Sequence, residues 1–118
     1  MYRYFSDKEF KNCSPSCSIN DMDKEFMDKL DILREKAGIP LVITSAYRSR
    51  EWDLSKGRSG NGAHTKGVAV DIRCNNSHNR FLILKAALEI GFKRIGIANT
   101  FIHVDDDSSL PQEVIWGY

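Results

Sequence analysis

At 118 residues the chain is long enough for one small domain with its own core and too short for two. Hydrophobic residues make up 42% and charged residues 28%, the balance of an ordinary soluble globular protein rather than of a disordered one. A formal net charge of +1 gives no general pull toward nucleic acid or membrane, and no apolar run approaches the length of a membrane span.

In chain order, Met1-Tyr2-Arg3-Tyr4-Phe5-Ser6 has no apolar h-region, so no secretory signal is expected. Synthesis in the cytoplasm is therefore expected, with any action on a cell wall following release or export. Ser6-Asp7-Lys8-Glu9 is a capping box, a Ser with a Glu three residues on, and predicts a short helix ending near Lys11. Cys13 through Ser18 reads as a loop. Its two cysteines, Cys13 and Cys17, can pair in an oxidising setting, bind metal with further ligands, or remain two reduced thiols, the last being the default expectation. With three Cys in all, one must stay unpaired in a monomer, the expected state, and Cys74 reads as a packing residue.

A long helix is expected from Asn20 or Asp21, because Met22, Phe26, Leu30, Leu33 and Ala37 recur at three- and four-residue steps before Gly38 stops the run. Pro40 opens an extended segment, Leu41 to Thr44, that reads as a buried strand. Ser49 to Ala63 is polar and glycine-rich and reads as a long loop, with one helical turn at Glu51 to Leu54; a loop of that length is usually functional. Val68, Val70 and Ile72 alternate with Ala69 and Asp71, the period of a strand with one face on a core. Asn75-Asn76-Ser77 is turn and cap material, and Phe81, Leu84, Ala87, Leu88 and Gly91 outline a second amphipathic helix. Phe92 to Ile97 is a further strand, Asn99-Thr100 a turn, Phe101 to Asp105 the next strand and Asp106 to Pro111 a loop. The whole, residues 1–118, predicts one α+β domain with two longer helices and a mainly antiparallel sheet.

Two stretches carry chemistry. In Gly62-Ala63-His64-Thr65-Lys66-Gly67-Val68-Ala69-Val70-Asp71-Ile72 a His and an Asp are separated by six residues, and Phe101-Ile102-His103-Val104-Asp105 supplies a second His. If both segments are strands of one sheet, the β-branched residues face the core and Asp71, His103 and Asp105 share the other face. His64 sits in a glycine-rich bend that can fold it over that face. Two His and one carboxylate suit a catalytic zinc with one position left open. His78, at a helix start, has no such setting and reads as surface.

These residues, with Ser45-Ala46-Tyr47-Arg48-Ser49 and Trp116, resemble the zinc D-Ala-D-Ala peptidases, a family that includes carboxypeptidases, dipeptidases and small phage and bacterial wall enzymes. Hedgehog signalling domains share its fold. The resemblance implies zinc as cofactor, His64, Asp71 and His103 as its ligands, and a peptidoglycan stem peptide cut at a D-Ala-containing bond as the reaction. It puts Arg48 beside the metal as a catalytic and substrate-binding group, its planar fork suited to a carbonyl or carboxylate. Ser45 would line the substrate site, Tyr47 would line it or bury its ring under Arg48, and Trp116 with Tyr118 would close one wall of the cleft or belong to the core. Many members carry an acid or a His three residues before the last ligand, where this chain has Thr100. Asp105 is then the expected proton acceptor, or the carboxylate that orients His103. Gly62 also replaces the family's small hydroxyl residue. Two other functions fit the same residues. One is a non-catalytic, zinc-containing binding module of this fold. The other is a metallonuclease using Arg48, Arg50, Lys56, Arg58 and Lys66, which the near-neutral charge disfavours; nucleic acid is not an expected partner.

Overall fold

The computed structural model describes residues 2–11 and 17–118. Cys13 therefore lies outside the described residues, whereas Cys17 is buried and disulfide-bonded, not the reduced thiol expected. Cys74 is a buried free thiol. The Ser6 and Glu9 capping box is formed, and it closes a 3-10 turn, Asp7–Phe10. The first long helix, α1, starts later than the periodicity suggests, at Lys24–Ala37. Two N-caps compete in this stretch. Ser18 caps a separate 3-10 turn, Ile19–Asp21, Met22 is extended, and Asp23 accepts from the Phe26 N–H to begin the helix proper.

Strand β1 is Ile43–Ser45, shorter and later than expected. Ser49 then caps a six-residue helix, α2 (Arg50–Ser55), where one turn was expected. β2 is Ala69–Arg73, α3 is Ser77–Ile90 with Asn76 as its cap, β3 is Arg94–Ile97, and β4 is Phe101–Asp105. A fifth strand, β5 (Val114–Gly117), was not anticipated, since Val114 to Gly117 is too short to show an alternation.

The sheet order is β1-β2-β4-β3-β5. All neighbours run antiparallel except β3 and β5, which are parallel. Helices α1 and α3 pack on each other, and their apolar faces share one core with the sheet. Phe26, Leu30 and Leu33 of α1 and Ile83 of α3 are buried with Val70, Ile72, Ile95, Ile102 and Val104 of the strands. This is the α+β single domain that the pattern predicts. Among the described residues no helix is long and apolar enough to cross a membrane.

The opposite sheet face carries the site. Register fixes it: Asp71 lies directly opposite His103 across β2 and β4, and Gly96 of β3 is opposite His103 on its other side. Gly96 in turn pairs with Trp116 of β5, and Ser45 of β1 with Asp71. One row therefore crosses all five strands, and direct neighbours in such a row have Cβ atoms about 4.5–5.5 Å apart. Gly96 needs its missing side chain, because a Cβ there would meet the Trp116 ring at 2.7 Å.

Candidate metal centre

His64 reaches the row from a 3-10 turn, Ala63–Lys66, that Gly67 closes in a left-handed conformation, φ 73°. Gly67 also carries the Asp21 backbone against it, so that a Cβ would collide with the Asp21 carbonyl oxygen, and its own carbonyl accepts from the Asp23 N–H at 2.8 Å. The turn that presents His64 is thus fastened to the start of α1. The Arg48 N–H donates to the His64 carbonyl at 3.1 Å, which fastens it to the segment after β1 as well.

Three ligand atoms, one each from His64, Asp71 and His103, all lie within 4.8 Å of one another. His64 Nε2 is 3.5 Å and His103 Nδ1 2.9 Å from the same Asp71 Oδ1. The far nitrogen of each ring is engaged elsewhere. His64 Nδ1 lies 2.7 Å from the Ala46 carbonyl oxygen, and His103 Nε2 lies 2.7 Å from Asp105 Oδ2. Carbonyl and carboxylate oxygens only accept, so both far nitrogens donate. The near nitrogens, in neutral rings, are then lone pairs facing a carboxylate. Three acceptors converging without a donor between them are the donor set of a cation site, and His with Asp suits a divalent transition metal. The residues present could hold such an ion.

Burial disfavours the charged form of His103, but hydrogen bonds to Asp105 and Asp71 and their charges outweigh it and raise its pKa above the usual imidazole value. Burial would raise Asp71, yet the two imidazoles hold its carboxyl well below the usual carboxylate range.

His64, Asp71 and His103 form the floor of a cleft of about 400 Å³, whose walls include Arg48, Arg58, Arg94, Trp116 and Tyr118. The Trp116 ring stands 5.5 Å from that of His103. Arg48 is only partly exposed, and burial followed by the nearby Arg58 charge lowers its pKa. Its partner is Asp53 of α2, 3.3 Å from Nε. Asp53 is 2% exposed, also faces Arg58 at 3.8 Å, and accepts from the Gly60 N–H at 3.2 Å. One buried carboxylate thus holds two guanidinium groups and folds the loop back on itself. Nothing in the local sequence marks Asp53, which looks like any acid on a short helix.

The other expected site residues are distributed as follows. Ser45 ends β1 beside Asp71, and Tyr47 packs against the hydrophobic core. Asp105 does line it but is 1% exposed, and its other oxygen accepts from Arg94 Nε at 2.8 Å and from the Asp107 N–H at 3.0 Å. In the loop that follows, Asp106 and Asp107 are tied to Lys29 and Lys66 at 2.8 and 2.9 Å. Glu113 borders a different hollow, beside Phe92 and Ile115.

Fold and site together define an α+β protein whose His, Asp, His set, on the open face of a five-stranded sheet, could hold a metal ion. The chain belongs to the Peptidase M15 family, whose model matches residues 3–105. This is the zinc D-Ala-D-Ala carboxypeptidase-like family that the motifs resemble. The match ends at Asp105, so β5 with Trp116 lies beyond it. No curated protein matches the chain.

Proposed function

We propose that the protein is a zinc peptidase that hydrolyses peptidoglycan stem peptides at a D-Ala-containing bond, as a carboxypeptidase or as an endopeptidase of the endolysin type. The convergence of His64, Asp71 and His103 on one point, in a chain of the M15 family, carries this reading. His64, Asp71 and His103 would hold a zinc ion, which would supply Lewis-acid polarisation of a peptide carbonyl and a lowered pKa for its bound water. Arg48 and Arg58 share one carboxylate, Asp53, and so leave positive charge on one cleft wall. That wall suits a substrate carbonyl or a free carboxylate, with Arg48 offering a planar pair of donors. Trp116 and Tyr118 form an aromatic wall against which a peptide side chain or sugar-linked stem can lie. Such a substrate would place its action at the wall of a bacterial cell.

Asp105, expected as the proton acceptor, is better placed to orient His103, since both of its oxygens are already engaged and it is buried. That observation favours one second function, a metal-containing module of the same fold that binds wall peptides without cutting them. Mass spectrometry of muropeptides after incubation with the zinc-loaded protein, against a chelated control, separates the two. Shortened stem peptides that vanish in the control establish hydrolysis and identify the bond. Intact muropeptides that still co-purify with the protein establish the binding module instead.

A further inference from the structure

Arg94, a wall of the cleft and the partner of Asp105, sits one row from His103 and Asp71. In register it is opposite Asp105 on β4 and Val114 on β5. Its guanidinium makes three separate attachments: Nε donates to Asp105 Oδ1 at 2.8 Å, Nη1 donates to the Pro111 carbonyl at 2.7 Å, and the group lies 4.9 Å from the centre of the Trp116 ring. Its side chain is 12% exposed and that of Asp105 1%, so the pair is largely withdrawn from water, where a carboxylate needs a fixed partner.

The attachments determine which way Asp105 points. Oδ1 receives Arg94 and the Asp107 N–H, which leaves Oδ2 turned to His103 Nε2 at 2.7 Å. With Nε2 committed as donor, Nδ1 is the nitrogen presented beside Asp71 and His64. We propose that Arg94 is a positioning residue of the metal centre: it locks Asp105, Asp105 locks the orientation of His103, and Trp116 and the Pro111 carbonyl brace Arg94 from β5 and the connection before it. The inference rests on the metal-centre reading above. It adds that the C-terminal strand, beyond the family match, tunes the affinity of the site.

The test is zinc affinity, measured by competition with a chromophoric chelator on the full chain, with circular dichroism to verify folding. Arg94→Gln should lower zinc affinity by about 10- to 100-fold, the usual effect of removing an outer partner of a metal-binding His. Asp105→Asn should do the same. Because Arg94 acts through Asp105, adding Arg94→Gln to Asp105→Asn should cost almost nothing further. A residue that merely supports the fold would lower thermal stability without this non-additivity. If Arg94→Gln does not fold, Arg94→Lys carries the test: it keeps the charge, loses the planar fork that joins Asp105 to the Pro111 carbonyl, and should show a smaller loss in the same direction. Zinc affinity unchanged in the folded variant, or losses that multiply in the double variant, overturns the inference while leaving the peptidase reading intact. A parent chain that takes up no zinc overturns both.

Discussion

The residues that converge on the cleft divide into those that would touch a metal and those that would touch a peptide, and the two sets should respond differently to mutation. His64→Ala, Asp71→Ala or His103→Ala removes one of three donors while leaving the core face of β2 and β4 intact. Each should cost more zinc affinity than the roughly 10- to 100-fold typical of an outer-sphere change, and should abolish hydrolysis with the far-ultraviolet dichroism of the parent. Metal analysis of the purified variants decides it; a variant with parental zinc content is not missing a ligand. Arg48→Lys keeps the charge beside Asp53 but loses the planar fork. Here kcat/KM should fall about 10- to 100-fold, the worth of a hydrogen bond to a charged group, with zinc content unchanged. Parental kinetics in this variant would reduce Arg48 to a partner of Asp53.

At the scale of elements, the cleft depends on close approach of β3 to β5. Gly96 leaves the space that the Trp116 indole occupies, with the Tyr118 ring 2.9 Å from where a Cβ would be. Gly96→Ala should therefore displace the indole toward His103, its neighbour at 5.5 Å, and narrow the substrate site. Overpacking of this kind costs about 1–3 kcal/mol. The expected result is a lower melting temperature, altered tryptophan fluorescence and a raised KM for muropeptides, with zinc still bound. Unaltered fluorescence and KM would mean that β5 yields without affecting the site.

For the molecule as a whole, folding and metal binding should be linked, and pH should act on them in opposite directions. A ligand that binds the folded state alone stabilises it, by about 2.7 kcal/mol at 100 times its Kd, so zinc should raise the melting temperature and a chelator should reverse the rise. Protons compete for the same site. The His103 pKa is raised in the metal-free chain, so its contribution to stability is complete below the unfolded imidazole value and is lost as pH rises through the folded one. Asp71 stays ionised throughout that window, its pKa lying far below it. Metal-free protein should thus melt at lower temperature as pH rises from about 6 to 8, while zinc affinity increases as the imidazole loses its proton. Parallel melting curves with and without zinc across this range check both signs; a metal-free melting temperature that climbs with pH would contradict the proton-held site.

Features with local causes can be read directly along the chain. Alternation of Val70 and Ile72 with Asp71, and of Ile102 and Val104 with His103, assigns each strand a core face and a polar face, because side chains alternate whatever the neighbours are. The donor set and the family motifs could be read for the same reason, as could the amphipathic helices and the caps at Ser6 and Asn76. Tertiary structure decided what depends on partners distant in the chain. The parallel pairing of β5 with β3 exists only because Val114 to Gly117 finds an open edge beside residues 94–97. Asp53 becomes the anchor of Arg48 and Arg58 only when α2 folds over the loop. Asp105 is removed from solvent and turned toward His103 by Arg94, which is 11 residues away and unmarked by any motif. Such contacts depend on where the chain brings distant charges together, and spacing along the sequence does not encode that position.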